Sequence, residues 1–262
     1  MLTPTEFRSL HRPGSPLILP NAWDLASARW LHASGHRVVG TTSLGVAFAT
    51  GLRDGAGEIA EETLGLVRKV AGAGIAVTAD IEAGFSSDPD EVARYVAELA
   101  ELGAVGVNIE DSDTTGGLVD PSLAVAKIAA IAAAVPNLYV NARTDVFWIG
   151  DDADTASKQA DAIARADRYL EAGASGVFVP GVLTPATIAA LTASIAAPLN
   201  VLVQQRIPVA ELARLGVARV STGSLLFRAA LGALADTAAS VCSGEVRQPS
   251  GTPNYDEVVA LD

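Results

Sequence analysis

The chain has 262 residues, half of them apolar and 18% charged, which excludes a disordered, collagenous or coiled-coil protein. At ~150 residues per domain the length allows one large domain or two small ones, and a single barrel of ~250 residues equally well. Eighteen Lys and Arg against 30 Asp and Glu leave a net charge of −12, which argues against nucleic-acid and membrane partners and suits a cationic ligand such as Mg²⁺.

The N-terminus, MLTPTEFRSLHRPG, lacks the apolar core of a signal peptide, and no run reaches ~18 consecutive apolar residues. The single cysteine, Cys242, cannot form an internal disulfide. A cytoplasmic protein is therefore expected.

In chain order, short apolar runs at Leu17–Pro20, Val38–Thr41, Ala76–Asp80, Gly106–Ile109, Leu138–Ala142, Gly176–Val179, Leu199–Val203 and Ala218–Ser221 read as eight strands. Each is nearly continuous in apolar character, as in a parallel sheet covered on both faces. Helices alternate with them. Asp88-Pro89 opens one that runs to about Leu102, Asp120-Pro121 one over Ser122–Ala134, and Thr184-Pro185 one over Ala186–Ile195. A longer helix spans Asp154 to Ala172, and a last one spans about Ser224–Ser243. The polar stretch Gly244–Asn254 reads as loosely held, in a C-terminal tail over residues 244–262. Gly103 and Gly173 stop helices just before a strand.

Eight such alternations fit an α/β fold of the (β/α)₈ TIM barrel type better than an open sheet, and no G-x-G-x-x-G follows the first strand. No mid-chain linker appears, so residues 1–262 are expected to form one domain.

Polar residues at the carboxyl ends of barrel strands build the site. The third candidate strand ends in Thr78-Ala79-Asp80-Ile81-Glu82, the fourth in Asn108-Ile109-Glu110-Asp111 and the fifth in Asn141-Ala142-Arg143-Thr144-Asp145. Asp80 and Glu82, two apart in an extended segment, are expected on one face, with Glu110 bringing a third carboxylate within a few ångströms. Such a cluster needs a counter-ion, and Mg²⁺ bound by oxygen ligands supplies one. The alternative is that these acids cap helices or pair with Arg143. Arg143 is a planar donor for a carboxylate or phosphonate, or a structural partner of Glu110 or Asp145; the two roles are compatible.

The motifs LPNAWDLASARWL, GTTSLGVAFATGLRD, TADIEAGF, VNIED and NARTD, in this order, resemble the phosphoenolpyruvate mutase/isocitrate lyase superfamily over about Leu19 to Ala230. The resemblance implies a barrel whose eighth helix is exchanged between partners in a homodimer or homotetramer. It also implies Mg²⁺, with Mn²⁺ as a substitute, and chemistry on small 2-oxo or 2-hydroxy acids through enolate-like intermediates. By the same resemblance Asp80 is the principal metal-anchoring acid, Glu82 the second acid of a D-x-D pattern, and Glu110 the acid that orients metal-bound water. Arg143 grips the substrate carboxylate, Thr42, Ser43 and Leu44 cradle it, Trp23 walls the pocket, and Asp54 stands near the metal.

Departures narrow the chemistry. The isocitrate and methylisocitrate lyases resembled here carry a general-acid cysteine in a K-[KR]-C-G loop, whereas this chain has Asp111-Ser112-Asp113-Thr114-Thr115-Gly116-Gly117. The mutase pattern of Lys and Asn on that loop, with a histidine after the sixth strand, is also missing. Gly116 and Gly117 suit either a mobile lid or a simple flexible turn. Lys69, Lys127 and Lys158 fall on helices, which excludes a Schiff-base aldolase with its lysine on a strand. His11, His32 and His36 read as structural or solvated. The expectation is a Mg²⁺-dependent carbon–carbon lyase or decarboxylase, with P–C bond chemistry or a non-catalytic 2-oxo-acid binder as alternatives. Ser43, Ser112, Thr114, Thr115 or a metal-bound water are the candidate proton carriers.

Overall fold

The computed structural model describes residues 2–149 and 153–261. Helix α1 (Pro4–Ser9) precedes the first strands, β1 (Leu17–Leu19) and β2 (Asn21–Ala22). There follow α2 (Leu25–Ala33), β3 (Val38–Thr41), α3 (Ser43–Thr50), α4 (Ala60–Gly72), β4 (Ala76–Asp80), α5 (Pro89–Glu101) and β5 (Ala104–Glu110). The second half contains α6 (Pro121–Ala134), β6 (Tyr139–Arg143), α7 (Thr155–Glu171), β7 (Gly176–Phe178), α8 (Pro185–Ser194), β8 (Leu199–Leu202), α9 (Val209–Arg214) and β9 (Arg219–Ser221). Helices α10 (Leu225–Cys242) and α11 (Tyr255–Val259) end the chain.

All strand pairs are parallel, in the order β1-β9-β8-β7-β6-β5-β4-β3-β2. Pro20, which has no N–H to donate, interrupts the expected first strand. Its first half pairs with β9 and its second with β3, so one broken stave brings the two edges of the sheet together. The result is the expected (β/α)₈ barrel.

The helix starts are where side-chain caps place them. Asp88, Asp120, Asp154 and Thr184 each accept backbone N–H groups at the N-termini of α5, α6, α7 and α8. Gly103 adopts φ 102° and lets β5 begin at Ala104, two residues before the expected start. Helix α11 lies in what reads as a plain polar tail, and residue 262 of that tail is outside the described residues.

Below the carboxyl ends the barrel interior is polar rather than filled by branched apolar side chains. Asn141 donates to its register partner Asn108 on the adjacent β5 at 2.9 Å and to Asn200 at 3.2 Å, the second bond linking β6 to β8 past the strand between them. At the amino end α1 closes the barrel with buried Phe7. His11 just beyond it stacks on Tyr139 with ring centroids 4.1 Å apart. Burial, with the nearby Arg219 charge, lowers His11 to about 3. The unfolded chain therefore binds a proton that the folded one refuses between about pH 6.5 and pH 3, and stability falls as pH drops through that window. Thermal melts of His11→Gln are expected to show a flatter pH dependence there. A profile identical to wild type would assign the acid sensitivity elsewhere.

Candidate active site

A cavity of about 610 Å³ opens at the carboxyl ends of the strands. Its walls include Thr42, Ser43, Leu44, Asp54, Asp80, Glu82, Glu110 and Arg143, all but one of the site residues expected from the sequence. Trp23 is not among the lining residues. Its ring stands edge-on to Phe227 at 5.3 Å, and its Cβ fills the space beside Gly45. The aromatic groups that line the cavity are Trp148 and Phe178, each 5.8 Å from the Arg143 guanidinium carbon.

Arg143 ends β6 and is held by two carboxylates. Nε donates to Asp145 Oδ1 at 2.6 Å and Nη2 to Asp145 Oδ2 at 3.1 Å, while Nη1 meets Glu110 Oε2 at 2.6 Å. This fixes the plane of the fork. Burial works against the Arg143 charge, but Glu110, Asp145 and Asp80 outweigh it and raise its pKa. Burial raises Glu110 to about 8, with Arg143 pulling the other way and Asp145 and Asp80 adding to the rise. The Ser112 hydroxyl lies 2.6 Å from Asp145 Oδ2 and 3.1 Å from Glu110 Oε1.

Asp80, at the end of β4, is oriented by its backbone N–H donating to Thr41 Oγ1 at 2.8 Å and by a long 3.3 Å contact from Ser43 N–H to Oδ2. Burial raises its pKa, opposed by Arg143 and by Ser43. Ser43 and Leu44 open α3, whose N-cap Thr42 makes no side-chain cap. The positive end of that helix thus faces the cavity as a place for an anion.

Glu82 reaches the cavity by a different route from the expected one. The strand stops at Asp80, and Glu82 adopts a left-handed φ of 47°, so the alternation of an extended segment does not apply. Its carboxylate accepts Gly55 N–H at 3.2 Å and Gly57 N–H at 2.8 Å. Both glycines have positive φ, 70° and 71°, which a side chain would disfavour. Glu82 is therefore the anchor of the loop that carries Asp54. Burial raises it to about 7 against the pull of Gly57 N–H.

The expected convergence of Asp80, Glu82 and Glu110 needs correction. Among the described residues no group of three or more Asp, Glu, His or Cys side chains is drawn together tightly enough to cage a metal. Glu110 is held by Arg143, and Glu82 by the two glycine amides. What remains is Asp80, a half-buried carboxylate held by no cation at close range among the described residues, with Asp54, Glu82 and Glu110 around the same cavity. This oxygen set suits Mg²⁺, which keeps several waters and takes only one or two carboxylates directly.

Beneath the Ser112–Leu118 bridge, Asp111 locks the surrounding loops. Its Oδ1 accepts Asp145 N–H at 2.8 Å, and its Oδ2 accepts Arg165 Nη1 at 3.1 Å and Tyr169 O–H at 2.7 Å. Sequence reasoning passed over Asp111, Arg165 and Tyr169, because their partners lie more than fifty residues apart. Asp111→Ala leaves Arg165 its ion pair with Asp161 but strips the buried Tyr169 hydroxyl and Asp145 N–H of their acceptor, and is expected to cost about 3 kcal/mol, a fall in Tm of roughly 10 °C for a chain of this size. Differential scanning calorimetry checks this, and an unchanged Tm would contradict it. Cys242, at the exposed end of α10, is far from this loop in the chain.

A TIM barrel with an acid-lined, arginine-bearing cavity at its carboxyl face defines the class. The phosphoenolpyruvate phosphomutase family model matches residues 7–242, and the chain belongs to that family, within the phosphoenolpyruvate mutase/isocitrate lyase superfamily of lyases and mutases. It is 44% identical over 255 residues to the uncharacterised Mycobacterium tuberculosis protein Rv1998c, covering 97% of this chain and 95% of that one. It is 31% identical over 186 residues to the 2-methylisocitrate lyase of Bacillus subtilis, covering 66% of this chain and 58% of the relative. Among solved structures, a candidate lyase/mutase from Burkholderia cenocepacia J2315 superimposes with a TM-score of 0.88 at 34% identity, covering 98% and 95%. A phosphonopyruvate hydrolase complexed with oxalate and Mg²⁺ shares the fold, with a TM-score of 0.83 at 24% identity and coverage of 99% and 95%.

Proposed function

We propose that this protein is a Mg²⁺-assisted carbon–carbon lyase or decarboxylase acting on a small 2-oxo or 2-hydroxy carboxylic acid through an enolate-like intermediate. The observation that carries this reading is that Arg143, Asp80 and the first residues of α3, Ser43 and Leu44, line one cavity, with Ser43 N–H 3.3 Å from Asp80 Oδ2. Asp80 would hold the metal, with Asp54, Glu82 and Glu110 as acceptors for its waters; when bound, Mg²⁺ supplies a Lewis acid for charge developing on the substrate oxygen. Mn²⁺ offers the same chemistry. The phosphonopyruvate hydrolase neighbour, solved with oxalate and Mg²⁺, supports both the metal and the anion.

The chain's own groups do the rest. Arg143 binds the substrate carboxylate through the edge left free by Asp145 and Glu110. The Ser43 and Leu44 end of α3 orients the same carboxylate. Trp148 and Phe178 exclude water from the guanidinium face. Ser112, within reach of Asp145 and Glu110, is placed to hand a proton to a substrate carbon.

P–C bond chemistry remains a second reading, favoured by the family model itself. Incubation with oxaloacetate, phosphonopyruvate and alkylmalates, with and without Mg²⁺, separates the readings. Metal-dependent turnover of a carbon–carbon substrate is expected. Turnover of phosphonopyruvate alone would reverse the order, and tight oxalate binding with no turnover at all would favour a non-catalytic binder.

The reading includes a homodimer or homotetramer in the cytoplasm. Helix α10 buries only Phe227 while Leu225, Leu231, Leu234 and Val241 stay exposed. By length and composition alone this helix is apolar enough to cross a membrane, with a mean hydropathy of 1.4. A search for unbroken apolar runs misses it because Arg228 and Asp236 interrupt. Packing of α10 against a second copy accounts for its apolar surface. Light scattering is expected to give a mass at least twice that of one chain, and a monomer would contradict this.

A further inference from the structure

The barrel interior holds a charge that this chemistry does not use. Arg219, on β9, is fully buried, and its guanidinium donates to no carboxylate among the described residues. Nε donates to Ser221 Oγ at 3.0 Å and Nη2 to Asn108 Oδ1 at 3.2 Å, while Nη1 has no hydrogen-bond partner. A buried cation without a counter-charge costs several kcal/mol. Burial lowers Arg219 to about 10, which still leaves it charged at neutral pH. Its other neighbours, His11 and Tyr139, bring no negative charge at that pH.

The missing negative charge is that of Asp80, whose field reaches Arg219. Asn108, which Arg219 holds, is the register partner of Asp80 across β5 and β4. Adjacent strands are ~4.8 Å apart, so the guanidinium lies within about 10 Å of the Asp80 carboxylate. Asn108 and Ser221 line the same cavity as Asp54, Glu82 and Glu110. Arg143 is already shared between Asp145 and Glu110. Asp80 therefore stands without a directly paired cation near a guanidinium without a directly paired anion.

We propose that Arg219 is the built-in counter-charge of the cavity carboxylates and thereby sets how tightly the cavity holds a divalent cation. Without metal, the guanidinium field compensates the half-buried acid. When a cation arrives, the same field opposes it and keeps binding weak. Arg219 is thus a positioning residue that acts through charge, and the inference rests on the metal reading above. Removing one positive charge about 10 Å from a dication tightens binding by about tenfold at an effective dielectric between those of protein and water.

The test is calorimetric titration of Mg²⁺ alone into wild-type protein, Arg219→Gln and Arg219→Lys, with circular dichroism as the folding control. Arg219→Gln is expected to bind Mg²⁺ about tenfold more tightly. Arg219→Lys keeps the charge but loses the two-armed grip on Asn108 and Ser221, and it is expected to stay within threefold of wild type. A role confined to holding Asn108 and Ser221 gives the opposite pattern, with weaker binding in both variants. Unchanged or weaker binding by folded Arg219→Gln overturns the proposal. If that variant does not fold, Arg219→Lys decides alone, and a departure beyond threefold overturns it. Failure of the wild-type protein to bind Mg²⁺ overturns the metal reading itself, and this inference with it.

Discussion

Asp80→Ala is expected to abolish Mg²⁺ binding and to lower metal-dependent turnover by about 10³-fold or more, the scale of losing a Lewis acid that stabilises developing oxyanion charge. The reason lies in how few direct ligands the cavity offers. Glu110 is committed to Arg143 and Glu82 to the amides of Gly55 and Gly57, which leaves the half-buried Asp80 as the strand-end carboxylate free to approach a cation. Asp54 is exposed on its loop and is expected to act through water. Titration of the variant with Mg²⁺, alongside a steady-state assay on whichever substrate the panel identifies, checks both parts. Full activity with ordinary metal dependence would remove Asp80 from the mechanism. Folding is expected to survive, because a half-buried, uphill-charged carboxylate is removed rather than left without a partner.

Arg143→Lys is expected to raise KM by about 10²-fold, with a smaller fall in kcat. A lysine keeps the charge but has no planar fork, so it cannot bridge Asp145 and Glu110 and still present a bidentate edge to a substrate carboxylate. Two or three charge-assisted hydrogen bonds of ~1.5–3 kcal/mol each are at stake, shared between ligand and protein. Tm is also expected to fall, since Asp145 is fully buried and loses its two-point contact. Kinetics indistinguishable from wild type would leave Arg143 as a purely structural residue. Glu82→Gln is a useful contrast. It is expected to weaken the hold on Gly55 and Gly57 and to free the Asp54 loop, with a loss nearer tenfold, measured as kcat/KM; a loss as large as that of Asp80→Ala would place Glu82 directly on the metal.

The barrel was legible because parallel strands buried on both faces leave unbroken apolar runs, and because Asp or Thr followed by Pro marks three of the expected helix starts. Both signals are local, the second resting on Asp88-Pro89, Asp120-Pro121 and Thr184-Pro185. The carboxyl ends of the strands then named Asp80, Glu110 and Arg143 without any knowledge of packing. Glu82 shows where local reasoning stops. Its spacing from Asp80 carries meaning only while the chain stays extended, and the left-handed turn at residue 82 is fixed by contacts with a loop 25 residues earlier.

The tryptophans show the same limit. Trp23 and Trp148 are chemically alike, and only the fold decides that the first packs on Phe227 while the second lies over Arg143. Asp145 and Asp111 were likewise readable as acids but not as clamps, because their roles depend on Ser112, Arg165 and Tyr169 meeting across the barrel rim. The polar interior around Asn108, Asn141, Asn200 and Arg219 is hidden in sequence by the apolar residues that alternate with it on each strand.

The most direct measurement is calorimetric binding of oxalate, a rigid two-carbon dianion, with and without Mg²⁺. Oxalate binding to the wild-type protein is expected only when Mg²⁺ is present, and is expected to vanish in both Asp80→Ala and Arg143→Ala. Binding that is independent of metal, or that survives in either variant, would contradict a shared grip by the β4 carboxylate and the β6 guanidinium.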